Sequence, residues 1–237
     1  MNKSCFFSTA ILLITFFFIS STSISAQNPW HNILENVPSI KVIDKKAAAF
    51  GSVEEGKEPV FEISLKDIGL YFGYITPPVA ESYIMTMKAL KVLYPDQLPE
   101  RGQIRVAAQS ETDFMLTASY ITGARPYYFV KGFVNSDLVV DTAIRNDDGY
   151  AIYFQRKDNG KTVAALFNRK LIHDNEKDYM IAALTTIRLA SGLELKDISP
   201  EEAKKLSFDL LELTIADDRG VIVIKEIDNY VFPEVKY

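Results

Sequence analysis

Cysteine is almost missing from this chain of 237 residues: Cys5 is the only one, histidine occurs twice and tryptophan once. A lone thiol excludes an intramolecular disulfide and a thiolate metal centre. Two histidines leave a nucleophilic triad only His31 and His173 to draw on, and no Gly-x-Ser-x-Gly elbow accompanies them. Positive charge is also short. Lys and Arg number 26 against 31 Asp and Glu, the formal charge is −5, and no basic run stands out. Nucleic acid and anionic lipid are therefore not expected partners. Internal repeats, low-complexity tracts and the Gly-rich strand-to-helix turns of dinucleotide or P-loop sites are absent as well.

What the chain does carry, at its start, is an export pattern. Lys3 supplies a positive n-region, the apolar run from Cys5 to Ile19 an h-region, and Ser25-Ala26 a small-residue cleavage site. Residues 1–26 are accordingly expected to be a signal peptide, with Gln27 the mature N-terminus and a periplasmic or extracellular location. The apolar run is shorter than the ~20 residues of a spanning helix, and no polybasic stop follows, so no membrane span is expected after cleavage. Cys5 stands at the start of the h-region and not after it, where a lipidated cysteine would lie, so it is not expected to be a lipidation site and is expected to leave with the signal. Lys3 is the one charge removed, so residues 27–237 carry −6. A chain of that size normally forms one domain burying ~70% of its surface, and without cross-links its stability rests on that core.

Residues 27–59 read as an N-terminal lead-in, with a strand expected near Ala47–Val53, and residues 60–237 as the domain proper. Ser64 with Asp67 forms a capping-box variant at a helix start. Pro77-Pro78 opens a longer helix in which Val79, Tyr83, Met87, Leu90 and Tyr94 recur at helical spacing, and Pro95 ends it. Ile104, Val106 and Ala108 alternate as a strand; Ser110 and Asp113 cap a helix that Gly123 closes. Tyr127–Val134, Leu138–Ile144 and Tyr150–Arg156 are strand-like runs, and Asp158-Asn159-Gly160 turns the last of them into Thr162–Phe167. A helix from Asp174 to Gly192, another from Ser199-Pro200-Glu201-Glu202 and a strand over Val221–Ile227 complete the chain. The fold class expected is α+β, a single domain with helices packed on an antiparallel sheet.

Single candidate residues have plain structural readings beside the functional ones. His173, next to Asp174 at a helix start, suits a capping or surface role, and His31 lies in the lead-in beside Trp30. Asp147-Asp148-Gly149 has the composition of a metal-binding turn and equally that of an ordinary β-turn. With 31 acidic residues, carboxylate pairs carry little information.

One ordered set of motifs says more. Ile63-Ser64-Leu65-Lys66-Asp67-Ile68-Gly69-Leu70-Tyr71-Phe72-Gly73-Tyr74-Ile75-Thr76-Pro77-Pro78-Val79-Ala80 is followed by Tyr94-Pro95-Asp96, Pro99-Glu100-Arg101-Gly102 and Tyr120-Ile121-Thr122-Gly123. The hairpin Asp148–Phe154 with Gly160–Val163 and the segment from Leu210-Leu211-Glu212-Leu213 to Val223 come after. In this order, over about residues 60–227, the chain resembles the formylmethanofuran dehydrogenase E-subunit family, whose opening Gly-His-x-Cys-Pro-Gly motif leads into a long helix. The resemblance implies an α+β domain, self-association into a homodimer, and a zinc-type site.

Carried over residue by residue, the family's His falls on Tyr74, its first Cys on Thr76, the glycine after Pro77 on Pro78, and its second Cys at about Asp113. Every soft ligand is replaced. No metal and no cofactor are therefore expected, although zinc is the family's ion. The candidate cleft comprises Tyr74, Thr76, Asp113 and Asp148, with the Tyr74–Pro77 helix start able to receive an anion or carbonyl, or simply acting as an N-cap at Thr76. The function this implies is an exported, non-catalytic binding or accessory domain with a degenerate metal site. A metal protein or metal-dependent enzyme using Asp113, Asp148 or His31 as hard ligands is the first alternative, and a structural dimer or partner subunit joined through Tyr127–Phe133 the second.

Overall fold

The computed structural model describes residues 34–126, 136–172, 188, 199–216 and 219–234. The signal segment, His31, the run Tyr127–Val134, His173 and all of the expected Asp174–Gly192 helix except Arg188 lie outside them. Among the described residues, no helix is long and apolar enough to cross a membrane.

The lead-in is helical where a strand is expected. Lys45–Ala49 forms α1, capped by Asp44, whose carboxylate accepts from the Ala47 N–H at 3.0 Å. Three consecutive alanines favour helix once a cap is present. The strands lie on either side, β1 (Ile40–Ile43) and β2 (Val60–Ile63), paired antiparallel with Ile40 opposite Ile63. Val37, Ile40 and Val42 are buried in the main core, which ties this segment to the rest of the domain.

The capping box at Ser64 is formed in full. Asp67 N–H donates to Ser64 Oγ, and Asp67 Oδ2 accepts from the Ser64 N–H, starting α2 (Leu65–Phe72). Gly73, at φ +79°, ends it and turns the chain into α3 (Pro77–Leu93). This helix is central to the described residues and packs against the sheet and three other helices. Val79, Tyr83, Leu90 and Tyr94 are buried as their spacing predicts; Met87 is half-buried. Its N-terminal half has no solvent face, since every residue from Val79 to Thr86 is buried. The hydroxyls enclosed there are used: Ser82 Oγ donates to the Phe114 carbonyl at 2.6 Å and Thr86 Oγ1 to the Ser82 carbonyl at 2.7 Å.

The main sheet comprises β3 (Ile104–Ala108), β4 (Leu138–Val140), β5 (Gly149–Arg156), β6 (Thr162–Asn168) and β7 (Ile222–Ile227), in the order β4-β3-β5-β6-β7. It is mixed, where a wholly antiparallel sheet is expected. β3 and β4 run parallel because the chain crosses between them through α4 (Asp113–Thr122), while the other pairs are antiparallel. The strand expected over Leu138–Ile144 stops at Val140, where Asp141 Oδ1 accepts the Ala143 N–H and bends the chain away.

Alternation separates the two faces. Ile152, Phe154, Val163, Ala165 and Phe167 face the helices. Ala107, Val139, Ala151 and Leu166 face the other side, where Phe232 and Tyr230 of the C-terminal strap cover them. The Tyr230 hydroxyl donates to Asp141 Oδ2 at 2.8 Å and anchors that strap. The last helix, α5 (Pro200–Ala216), opens with the expected cap: Glu202 N–H donates to Ser199 Oγ, and Glu202 Oε2 accepts the Ser199 N–H.

Candidate functional site

A cavity of about 470 Å³ opens where the end of β3, the first turns of α3 and α4 and the start of β5 meet. The turn before β5 shapes it. Asn146 Nδ2 donates to the carbonyls of Tyr150 and Phe167, at 2.9 and 2.8 Å, and draws β5 against β6. The approach at Gly149 is so close that a Cβ there would lie 2.1 Å from the Phe167 carbonyl oxygen. Glycine is required. Gln109, just past β3, clamps the same strand from the other side: its Nε2 donates to the Gly149 carbonyl at 3.3 Å and its Oε1 accepts from the Ala151 N–H at 3.1 Å.

These constraints place rings on one wall. Tyr150 donates its hydroxyl proton to the Ser110 carbonyl, and its ring stacks on Phe114 with centroids 4.2 Å apart. Phe167 lies 5.9 Å from Phe114. Polar groups come from Thr112, Asp113 and Arg169. Asp113 is the first residue of α4 and is half-buried; burial holds its carboxyl above its ordinary value. Thr112 is the N-cap, in place of the expected Ser110, whose carbonyl serves Tyr150. Its side chain makes no capping bond.

Of the four residues expected at the site, Asp113 alone lines the cavity. Tyr74 is close by. Its phenol is pushed above its ordinary value, first by burial and then by the charge of Asp113, which sets the two within electrostatic range. The Tyr74 ring itself packs beside Phe72, centroids 5.9 Å apart. Thr76 stands at the N-cap of α3 with its hydroxyl buried, making no capping bond and without a hydrogen-bond partner among the described residues. Pro77 and Pro78 follow it, and their missing N–H groups leave this helix start poor in donors for an anion. The start of α4 keeps its donors. Asp148 sits in an ordinary turn with its carboxylate on Lys170, outside the cavity lining.

Gln109, Phe114, Phe167 and Arg169 belong to no sequence motif, and Tyr150 belongs to one only as part of the hairpin Asp148–Phe154. The Asp148-Gly149 turn and the helix start at Ser110 and Asp113 are the sequence signals that point toward their neighbourhood.

The donor set does not fit zinc. Tyr74 stays a neutral phenol at ordinary pH, the Thr76 hydroxyl is a weak donor, and one carboxylate cannot hold the ion alone. Among the described residues, no group of three or more His, Cys, Asp or Glu side chains stands close enough together to hold a metal.

The Tyr74–Asp113 coupling predicts a measurable shift. Asp113→Asn should lower the pH at which Tyr74 ionises, because the carboxylate charge opposing the phenolate is gone, while the larger contribution of burial remains. Assignment of the Tyr74 ring signals through an alkaline NMR titration reads this directly. An unmoved titration would show that the two side chains do not face each other.

Comparison with models of known protein families gives no match, and no curated protein matches the chain.

Proposed function

We propose that this protein is an exported, non-catalytic binding or accessory domain, a degenerate relative of the formylmethanofuran dehydrogenase E-subunit family, whose cleft takes a small organic molecule in place of a metal. The observation that carries the reading is the cavity at the start of α4. Its volume, about 470 Å³, is in the range of small-molecule sites, and it joins an apolar ring wall to a few convergent polar groups. A flat or aliphatic body suits the Phe114–Tyr150 stack. A polar end suits Asp113 and Arg169, whose opposite charges select a ligand bearing both a donor and an acceptor.

The family part of the proposal rests on motif order. It is supported by the way Gly73 ends one helix and the Tyr74-Ile75-Thr76 link leads directly into the long central helix.

Native mass spectrometry of the protein isolated from its host tests the binding reading. The wild type should carry a small-molecule adduct, and Asp113→Asn and Phe114→Ala should each lose most of it while remaining folded. Elemental analysis runs alongside. A stoichiometric metal in the wild type, removed by Asp113→Ala, would replace this reading with that of a hard-ligand metal protein. An adduct-free wild type with a dimeric mass would favour the structural dimer. For the family link, Tyr74→His with Thr76→Cys and Asp113→Cys should create a zinc site that weakens as pH falls; no gain in zinc affinity would remove the link.

A further inference from the structure

A second cavity, of about 750 Å³, lies at the opposite end of β3 and α4 from the first, among the residues that precede β3 and follow α4. Its lining inverts the sign of the molecule. Lys46, Arg101, Arg125 and Lys157 meet there with a single carboxylate, Asp44, in a chain of formal charge −5.

Two of the four cations form a fixed frame. Arg101 donates from Nη1 to Asp44 Oδ2 at 3.0 Å and from Nη2 to the Tyr120 carbonyl at 2.8 Å. Lys157 Nζ donates to the Gly102 carbonyl at 2.8 Å and to the carboxylate of Asp137. The floor between them is bare backbone. Gly102 and Gly123 both have positive φ, and a Cβ on Gly102 would come within 3.2 Å of Lys46 Nζ. A Cβ on Gly123 would come as close to the Gly102 nitrogen. Glycine at both positions therefore keeps the groove open and lets the Lys46 ammonium lie over the chain.

The negative end of α4 points toward this groove, yet three of its last four carbonyls are already engaged. Those of Ser119 and Thr122 accept from the N–H groups of Gly123 and Gly102, and that of Tyr120 from Arg101. Phe50 also lines the cavity and is 87% exposed, an aromatic face held in solvent beside the cations.

We propose that this groove binds a phosphate or sulfate ester of a sugar-sized molecule. Lys46 and Arg125 contact the tetrahedral oxyanion, Arg101 and Lys157 act as the positioning frame, Phe50 stacks on the ring and Asp44 accepts from a hydroxyl. The volume exceeds what an inorganic ion alone fills. An acidic chain repels an extended polyanion such as nucleic acid, which restricts the ligand to a small one held by local charge. Phosphate and sulfate esters present the same oxyanion geometry, so the pair is separated by experiment. The site is independent of the cleft at Asp113 and stands or falls without it.

Isothermal titration of the full chain at low ionic strength with glucose 6-phosphate, glucose 6-sulfate and glucose tests this. Saturable one-site binding of at least one ester and none of glucose is expected, and the tighter ester identifies the source. Lys46→Glu or Arg125→Glu should weaken binding by about tenfold or more, equivalent to about 1.4 kcal/mol. Added salt should weaken it too. Phe50→Ala removes an exposed side chain and should reduce affinity without moving the thermal midpoint. Asp113→Asn, in the other cleft, should leave it unchanged. The proposal is overturned if neither ester binds to folded wild type, or if ester binding survives undiminished in the Lys46→Glu, Arg125→Glu double variant.

Discussion

Replacing Tyr83 with alanine is expected to cost about 3–5 kcal/mol of unfolding free energy, the range for losing a buried aromatic. The side chain is fully buried in the all-buried half of α3. Its hydroxyl lies 2.8 Å from the Ile63 carbonyl and 2.9 Å from that of Pro38, so one phenol proton serves the two segments that carry β1 and β2. Tyr83→Phe keeps the ring and removes the single phenol proton that these two carbonyls share, which should cost about 1–3 kcal/mol. The two variants thus separate ring from hydroxyl in a urea titration. A Tyr83→Ala cost below about 1 kcal/mol would show that the ring is not core.

Burial also pushes the Tyr83 phenol far above its ordinary value, and that of Tyr94 up to about 12. The sign follows from linkage. As pH rises past the ordinary tyrosine value of 10.0, the unfolded chain ionises while the native state stays neutral, so stability falls. Tyr83→Phe should flatten that alkaline loss.

Replacing Lys157 with alanine is expected to cost about 3 kcal/mol, the lower end of the range for breaking a buried ion pair. Its partner, Asp137, has a side chain only 2% exposed, against 26% for Lys157. Without the ammonium, the carboxylate still has Arg105 among the described residues, its Nε 3.9 Å away, so the loss stays short of a fully orphaned charge. The double variant Lys157→Met, Asp137→Leu removes both charges together and should recover most of the loss, because an apolar pair of similar volume avoids the desolvation penalty. Denaturant midpoints of the three proteins decide it. A double variant no better than Lys157→Ala would show that Asp137 contributes through something other than its charge pair.

The legible parts of the fold are those decided within a few residues. Both capping boxes, Ser64 with Asp67 and Ser199 with Glu202, close over three positions and form as their spacing predicts. Pro77-Pro78 opens the central helix, and Asp158-Asn159-Gly160 makes the β5–β6 turn with Gly160 at φ +72°. Sequence and structure differ where a local pattern has two solutions. Alanines 47–49 support either a strand or a helix, and the Asp44 carboxylate decides for the helix. Ser110 looks like a cap, yet a tyrosine forty positions later takes its carbonyl and Thr112 becomes the N-cap.

By itself the sequence determined an α+β chain with a proline-opened central helix and a hairpin in its sheet, because propensity, capping and alternation act over one to four neighbours. The tertiary structure alone decided the direction of β4, set by the crossover through α4. It also decided which of the expected site residues meet: Asp113 reaches the cleft, and Asp148 turns to Lys170. The cationic groove is the clearest case. Lys46, Arg101, Arg125 and Lys157 stand far apart in an acidic chain with no basic run, and they converge because β1, β3, α4 and β5 all bring an end to the same edge of the fold. Charge acts through space, over roughly a Debye length of about 8–10 Å, and distance along the chain does not report it.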